Sequence, residues 1–274
     1  MLDKTYYGIS QEELGRESKI PVVKMEDSIQ VFKAMADCMA DCIAEHNRQG
    51  KRTVFICPVG PVGQYPLFVE RVNREKICLE NVWFFNMDEY LTDEDAWIDN
   101  SHPLSFRGFM DREVYGKIDP ELVMRERQRI FPDPKNPAAL DELLDKLGGA
   151  DIAFGGIGIT GHLAFNEPQP ELTPEEFAKL PTRVRDILAE TRATNAVGDL
   201  GGALELMPRR CVTIGMRQIL GARKICLGVF RDWHRAVVRR AAYGQVSAEF
   251  PVTLAQRHPD AVILTNENAA KEPF

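Results

Sequence analysis

The chain has 274 residues, and its 34 Lys or Arg against 41 Asp or Glu give a formal net charge of −7 at pH 7. A composition of 44% hydrophobic and 27% charged residues excludes a disordered or collagen-like chain. The acidic balance argues against a general nucleic-acid binder, because no excess of cations is present to displace phosphate counterions.

After a polar N-terminal arm, the chain is expected to alternate short apolar strands with amphipathic helices. Residues 1–18 show no periodicity, so we expect them to lie on the surface or on a neighbouring subunit. Apolar residues recur at helical spacing from Asp27, and Gly50 ends that helix. Further strands are expected at 52–58, 82–87, 129–131, 151–158, 211–216, 224–230 and 261–265, and further helices at 64–73, 137–149, 232–243 and from Thr173.

This alternation predicts one domain, residues 19–274, built on an open, mostly parallel α/β sheet with helices on both faces, a modified Rossmann-like fold. Ligands of such sheets bind outside the carboxyl ends of the strands. Three unusual segments follow apolar strands directly: residues 58–63, Asp88, and residues 155–167. The functional site is therefore expected at that edge.

The six cysteines form no Cys-x-x-Cys pair and do not lie near histidine at zinc-finger spacing. No apolar run approaches the roughly 18 residues that a membrane span needs, and the N-terminal segment has no apolar signal core. These features predict a cytoplasmic protein with no metal, nucleic-acid or membrane partner.

Residues 155–168, GGIGITGHLAFNEP, contain the dinucleotide-binding pattern Gly-x-Gly-x-x-Gly. That fingerprint requires a helix to begin inside it, and Pro168 follows too soon for one, so nicotinamide binding is not expected. The segment instead places His162 in a glycine loop with Glu167 five residues on. Histidine gives and takes protons near neutral pH, and a carboxylate can orient its ring. A purely structural histidine is the alternative.

A second cluster is FFNMDEYL, residues 84–91. Adjacent residues of a strand point to opposite faces, so Asp88 and Glu89 are not expected to enter one pocket. Beside a histidine loop, a desolvated Asp88 is a candidate base for a carbon-bound proton. A helix cap or a surface pair is the alternative interpretation.

Two further segments are candidates for binding an anion. The loop that contains Gly60 and Gly63 can present backbone N–H groups, although it lacks the lysine of a P-loop. Arg231, His234 and Arg235 lie at the start of a predicted helix. A solvated helix face would explain the same three residues.

The segments FNMDEYL (85–91), GHLAFNEP (161–168), TRVR (182–185), ETRATNA (190–196) and QRHPDAVIL (256–264) resemble the glucosamine-6-phosphate deaminase/isomerase family. Their order and spacing agree over residues 20–268. The wider superfamily includes 6-phosphogluconolactonases, whose similar loop lacks the AFNEP continuation.

The resemblance implies opening of the ring of an amino-sugar phosphate, isomerisation of the aldose to a ketose, and release of ammonia. Asp88 matches the family base that moves a proton between C2 and C1. His162 matches the acid/base for ring opening, and Glu167 matches the carboxylate that supports it. No metal or organic cofactor is required.

The chain departs from the family near its histidine and its phosphate loop. Thr160-Gly161-His162 stands where the family has Asp-Gly-His, so the hydroxyl of Thr160 replaces a carboxylate. The phosphate loop, Gly-Gly-Thr-Pro followed by hydroxyl residues in the family, is Val-Gly-Pro-Val-Gly at residues 59–63.

The phosphate-binding cations of the family also differ. The family arginine aligns with Val197, and its lysine aligns near His234, with Arg231 and Arg235 as neighbours. Arg217, where the family often has glycine, is a further candidate cation. The resemblance therefore implies retained proton transfer beside an altered phosphate site.

Three functions remain open: the family reaction on glucosamine 6-phosphate or a near relative, an isomerase or lactonase acting on another sugar, and a non-catalytic sugar-phosphate sensor. The resemblance also implies a homo-oligomer. Arg183 and Arg185 match positions where some members bind an allosteric amino-sugar phosphate, although a solvated strand edge explains them equally well.

Overall fold

Two sheets contain the strands of the computed structural model, which describes residues 5–274. In chain order the strands are β1 (Val22–Met25), β2 (Thr53–Cys57), β3 (Val82–Asn86), β4 (Asp88–Leu91), β5 (Arg129–Ile130), β6 (Ile152–Gly155), β7 (Arg183–Asp186), β8 (Arg210–Thr213), β9 (Lys224–Val229) and β10 (Ala261–Asn266).

The α-helices alternate with these strands and are mostly short. They are α1 (Ser28–Arg48), α2 (Gln64–Glu75), α3 (Phe106–Met110), α4 (Ala138–Lys146), α5 (Pro174–Phe177), α6 (Ala189–Asp199), α7 (Met216–Leu220), α8 (His234–Tyr243) and α9 (Glu267–Ala270). Within residues 5–274, none of them combines the length and the apolarity needed to cross a bilayer.

The larger sheet has seven strands in the order β1-β10-β9-β6-β2-β3-β5, and every neighbouring pair in it is parallel. Alternate residues of β2 enter different apolar clusters: Phe55 packs on one face, and Val54 and Ile56 pack on the other. Helices cover both faces, which explains why the strands read as continuous apolar runs. The predicted α/β fold with a mostly parallel sheet is confirmed.

Helix α1 shows how local signals set an element. The Asp27 side chain accepts a hydrogen bond from the backbone N–H of Gln30 and caps the first turn. The helix ends at Arg48, and Gly50 follows with a φ of +64°, a left-handed conformation that favours glycine. Of the apolar residues at helical spacing, Val31, Met35, Met39 and Ile43 are buried, while Phe32 lines a cavity at the edge of the larger sheet.

A second, antiparallel sheet in the order β4-β8-β7 was not predicted. The sequence predicts a single strand at 82–87, but a second strand follows at once, and the chain passes from one sheet to the other at Met87. The Met87 N–H donates to the carbonyl of Cys57 (3.0 Å), and its own carbonyl accepts from Ile214 (2.6 Å). The change of sheet places Asp88 at the junction, at the carboxyl end of β3.

Residues 5–18 lie against α8 of the same chain. The fully buried guanidinium of Arg239 donates to the carbonyl of Ile9 (2.8 Å), and the Tyr243 hydroxyl accepts from the N–H of Gly15 (2.7 Å). The part of the predicted arm at residues 1–4 lies outside the described residues. The boundary of the arm at residue 18 stays a prediction.

Candidate active site

A cavity of about 580 Å³ opens at the carboxyl ends of the central parallel strands. Its lining includes residues 58–63 after β2, 87–88 after β3, 156–158 after β6, and 230, 231, 233 and 234 after β9. Helix α3, the loop before it, helix α6, Phe32 of α1 and the loop of His162 form the rest of the wall. The cavity therefore lies at the edge of the sheet where the sequence predicts the site.

Asp88 is the buried carboxylate of this cavity. Its exposure is 7%, and within residues 5–274 no group hydrogen-bonds to its side chain. Burial raises the pKa of Asp88 well above its usual value, and the nearby charge of Glu89 raises it further. A carboxylate held without ionic partners is a stronger base, once ionised, than an ordinary aspartate.

Glu89 points away from the cavity, as the alternation of strand side chains predicts. Its carboxylate accepts hydrogen bonds from the Ser105 hydroxyl (3.0 Å) and from the backbone N–H groups of Phe106 (3.0 Å) and Arg107 (2.8 Å). These donors lie at the start of α3, where a negative charge is favoured. Glu89 therefore holds in place the helix that forms one wall of the cavity.

His162 lies in a tight loop that glycine makes possible. A Cβ atom built on Gly158 would lie 1.9 Å from the imidazole ring, so the ring occupies the space that a larger residue would fill. Gly161 has a φ of +78°, and a Cβ there would meet the ring of Phe250. The loop contains no helix, as expected for a segment that is not a dinucleotide fingerprint.

The Nδ1 atom of His162 lies 2.8 Å from the Thr160 hydroxyl oxygen. Burial lowers the pKa of His162 to about 4, so the ring is neutral at neutral pH. A neutral imidazole carries a proton on one nitrogen and a lone pair on the other, which suits it to proton transfer. The hydroxyl of Thr160 orients this ring.

Glu167 lies behind the cavity and does not line it. It is 2% exposed, and its Oε2 accepts a hydrogen bond from the Leu188 N–H (2.7 Å) at the start of α6. Within the described part of the chain, Glu167 makes no hydrogen bond to His162. Burial raises the pKa of Glu167. Its visible contact fixes α6, which carries Asn195 and Asp199 to the cavity.

Both glycines of the predicted anion loop line the cavity. Gly60 has a φ of +130° and precedes Pro61 through a cis peptide bond. A Cβ on Gly63 would lie 2.3 Å from the ring of Phe32, so this ring packs directly against the first turn of α2. The backbone of this loop therefore lies at the cavity, and the ring of Phe32 packs against it.

His234 lines the cavity, but both of its ring nitrogens are occupied. Nδ1 accepts from the N–H groups of Phe230 (3.1 Å) and Arg231 (2.8 Å), and Nε2 donates to the carbonyl of Ile157 (3.0 Å). Burial lowers its pKa to about 3, so the ring is neutral. His234 joins the loops after β9 and β6 and presents no cation.

The three candidate arginines lie in different places. Arg231 lines the cavity. Arg217 forms an ion pair with Asp145 (3.1 Å), and Arg235 donates to the side chain of Asn268 (2.7 Å), both outside the cavity lining. The structure therefore brings one of these cations to the site.

Arg183 and Arg185 lie on β7, an edge strand of the smaller sheet. Arg183 donates to the side-chain oxygen of Asn166 (2.8 Å) and to the carbonyl of Pro181 (3.0 Å). Burial lowers the pKa of Arg183 to about 10, and the charge of Arg185 adds to this effect. An allosteric site here stays a prediction.

Sequence reasoning missed several side chains that line the cavity. Asn195 and Asp199 are four residues apart on α6, and helical spacing was the signal that could have paired them. Phe32 and Trp233 were present in segments singled out for other reasons. Which of these residues face a ligand depends on tertiary packing, which local patterns do not report.

Proteins of known structure share this fold. No family model matches the chain. The 6-phosphogluconolactonase from Shewanella baltica has the same fold, with a TM-score of 0.61, 16% identity, and coverage of 92% of this chain and 99% of that one. Together with a solved glucosamine-6-phosphate deaminase that superimposes at 25% identity, this likeness gives the class of the protein, that of the α/β enzymes that include such lactonases and deaminases.

Sequence relatives narrow this class to one family. The glucosamine-6-phosphate deaminase of Shewanella loihica is 31% identical over 258 residues, covering 92% of this chain and 89% of that protein. That of Mycoplasma mycoides is 27% identical over 256 residues, covering 92% and 96%. A solved monomeric glucosamine-6-phosphate deaminase superimposes with a TM-score of 0.78 at 25% identity, covering 91% and 98%. The chain belongs to the glucosamine-6-phosphate deaminase family.

Proposed function

We propose that the protein converts an amino-sugar aldose, glucosamine 6-phosphate or a close relative of it, to the ketose and releases ammonia. One observation carries this proposal: Asp88 and His162 line the same cavity, one as a desolvated carboxylate without a hydrogen-bonding partner in residues 5–274, the other as a neutral imidazole. The reaction needs one base for a carbon-bound proton and one proton carrier between oxygens.

Ring opening is the task assigned to His162. The neutral imidazole takes the proton of the anomeric hydroxyl and returns a proton to the ring oxygen as the bond between C1 and that oxygen breaks. The open-chain product is an aldehyde. Thr160 supports this step because its hydroxyl fixes the rotation of the imidazole (2.8 Å).

Isomerisation is the task assigned to Asp88. The aldehyde group acidifies the proton on C2, and the Asp88 carboxylate removes it while the oxygen on C1 takes a proton from the ammonium group on C2, which gives an enolamine. Protonation at C1 then gives the imine of the ketose. Addition of water to C2 of this imine and loss of ammonia complete the reaction, so amino sugar and water become ketose and ammonia with no external oxidant or reductant.

The remaining predicted residues are assigned to binding and positioning. Arg231 and the backbone around Gly60 and Gly63 line the cavity and are assigned to binding the substrate. Glu167 positions α6 through the Leu188 N–H. This assignment makes Glu167 a positioning residue rather than a partner of the imidazole.

Asp88 also favours an isomerase over a lactonase or a sensor. A desolvated, unpaired carboxylate costs folding free energy, and neither lactone hydrolysis nor simple binding requires a base for a carbon-bound proton. The presence of such a destabilising carboxylate is better explained by removal of a carbon-bound proton than by sugar binding alone.

Ammonia release from glucosamine 6-phosphate tests the proposal. Purified protein should release ammonia and form the ketose in equal amounts, and the Asp88→Asn variant should bind the sugar but release none. Release of gluconate from a gluconolactone, with no ammonia from any amino sugar, would contradict the isomerase and support the lactonase.

We further propose that the enzyme works in the cytoplasm and self-associates. Its six cysteines are all free thiols, which persist in a reducing compartment. Exposed apolar side chains lie along residues 188–206, including Val197 (73%) and Leu206 (65%). Since a solved relative is monomeric, light scattering of the wild type and of a Val197→Ser, Leu206→Ser double variant tests the assembly.

A further inference from the structure

The end of the cavity away from Asp88 carries an unusual set of side chains. Strands β6 and β2 lie between β9 and β3, so the segment after β9 is separated from Asp88 by three strand spacings, roughly 14 Å. We call this region the β9 end and define it by Phe32, Asp199, Phe230, Arg231 and Trp233, all of which line the cavity.

Charge at the β9 end is balanced rather than positive. Among the described residues that line the cavity, Arg231 is the one lysine or arginine, and Asp199 faces the same space. His234, its neighbour, is neutral because both ring nitrogens are engaged. A phosphate dianion placed here would meet one cation and one carboxylate, whereas a tight phosphate site supplies several cationic or N–H donors.

The loop that follows β2 adds little to an anion site. Residues 58–63 carry no side-chain hydroxyl, and two of them are prolines, which have no N–H. The ring of Phe32 lies against Gly63 at the first turn of α2 and 4.7 Å from the ring of Phe230. These apolar rings make the surroundings unfavourable for a charged group and suitable for the face of a sugar.

Asp199 and Arg231 have side chains free to bind a ligand. Arg231 extends along α6, where a Cβ on Gly198 would lie 2.8 Å from its Nη1. Both side chains are solvent-exposed where they line the cavity. Within residues 5–274, the two groups form no ion pair or hydrogen bond with each other or with another side chain. A free acceptor beside a free donor matches a hydroxyl group, which both accepts and donates.

We infer that the β9 end binds the hydroxyl-bearing, uncharged end of an unphosphorylated amino sugar, with Asp199 accepting from a hydroxyl, Arg231 donating to one, and the aromatic rings packing on the sugar. This inference rests on the proposed isomerase function. The preferred substrate then carries an uncharged hydroxyl at this end in place of a phosphate. The chemistry at C1 and C2 is the same for both.

Paired substrates test the inference and the proposed function separately. Ammonia release is measured for glucosamine, galactosamine and mannosamine and for their 6-phosphates. The inference predicts a kcat/KM at least about tenfold higher for the best unphosphorylated sugar than for its phosphate. A higher kcat/KM for the phosphorylated sugars would overturn the inference while supporting the isomerase.

The Asp199→Asn variant sharpens this comparison. Removal of the carboxylate charge should shift the ratio of the two kcat/KM values toward the phosphorylated sugar by about tenfold. Glu205→Gln is the matched control, because it removes one negative charge from the exposed residues after α6 without altering the cavity lining. An equal shift in both variants would contradict a direct contact with Asp199.

Calorimetry with the Asp88→Asn variant measures the end-group preference without turnover. Glucosamine should bind more tightly than glucosamine 6-phosphate. Tighter binding of the phosphate, or no binding of either sugar, would overturn the inference. If no sugar releases ammonia with the wild type while glucosamine binds this variant more tightly, the proposed function fails and the end-group preference stands.

Discussion

The two ends of the cavity are built in opposite ways. At the Asp88 end, a short continuous motif and one glycine loop supply both reactive groups, and their burial sets their protonation. At the β9 end, side chains from α1, α6 and the segment after β9 meet only through tertiary packing. Sequence motifs therefore predict the reactive groups of such a site, while its substrate specificity depends on how separate helices and loops pack together.

The largest expected effect is at the Asp88 end. Asp88→Asn keeps the size of the side chain and removes the base, so turnover should fall by about 10³-fold or more while sugar binding remains. Steady-state kinetics and calorimetry measure the two quantities. A double variant that combines Asp88→Asn with Asn86→Asp has a carboxylate near the same junction but should stay inactive. The reason is that the Asn86 side chain donates to the Ile130 carbonyl (3.0 Å) and does not line the cavity.

Gly158→Ala should be almost as damaging. A Cβ there would lie 1.9 Å from the His162 ring, so the imidazole must move, and kcat should fall by about 10²-fold. Gly8→Ala is the control, since a Cβ at Gly8 meets nothing within 4 Å. Wild-type kcat in Gly158→Ala would contradict the position assigned to His162.

The placement of Asp88 and His162 at one edge of the sheet could be predicted from the sequence. Asp88 and the segment 155–167 that contains His162 follow apolar strands, and parallel strands bring such segments to one edge, where both residues line the cavity. The smaller sheet was missed because Asp88 pairs with Thr213, far along the chain. The role of His234 depends on the carbonyl of Ile157, 77 residues away, so it could not be derived from the segment that contains it.

Thr160→Val should have an intermediate effect. It removes the hydroxyl 2.8 Å from His162 Nδ1 while keeping the shape of the side chain, and we expect kcat to fall by about tenfold. Thr160→Ser restores a hydroxyl and should recover most of the rate. Equal losses in the two variants would indicate a packing role instead.

At the β9 end, Arg231→Gln should raise KM by about tenfold with a smaller change in kcat, because it removes a binding contact far from the reacting carbons. Arg217→Gln is the matched control, since its side chain pairs with Asp145 outside the cavity. A larger KM effect from Arg217→Gln would contradict the placement of the two arginines.

The smallest effect concerns stability. Because the folded-state pKa of Asp88 is raised, the fold favours its protonated form, and ionisation costs stability as the pH rises from the unfolded value toward the folded one. Asp88→Asn should therefore raise Tm at pH 8 and change it little at pH 4. Thermal unfolding at both values measures this difference, and a variant that is less stable at pH 8 would contradict the unpaired state of Asp88.

Transfer of the C2 proton is the most direct test of the central claim, that Asp88 is the base for a carbon-bound proton. The measurement is turnover of an amino sugar carrying deuterium at C2, with NMR detection of label at C1 of the ketose. We predict a primary isotope effect in the wild type, and neither label loss from C2 nor label transfer to C1 in Asp88→Asn, which still binds the sugar. Loss of deuterium from C2 at the wild-type rate in Asp88→Asn would contradict the account.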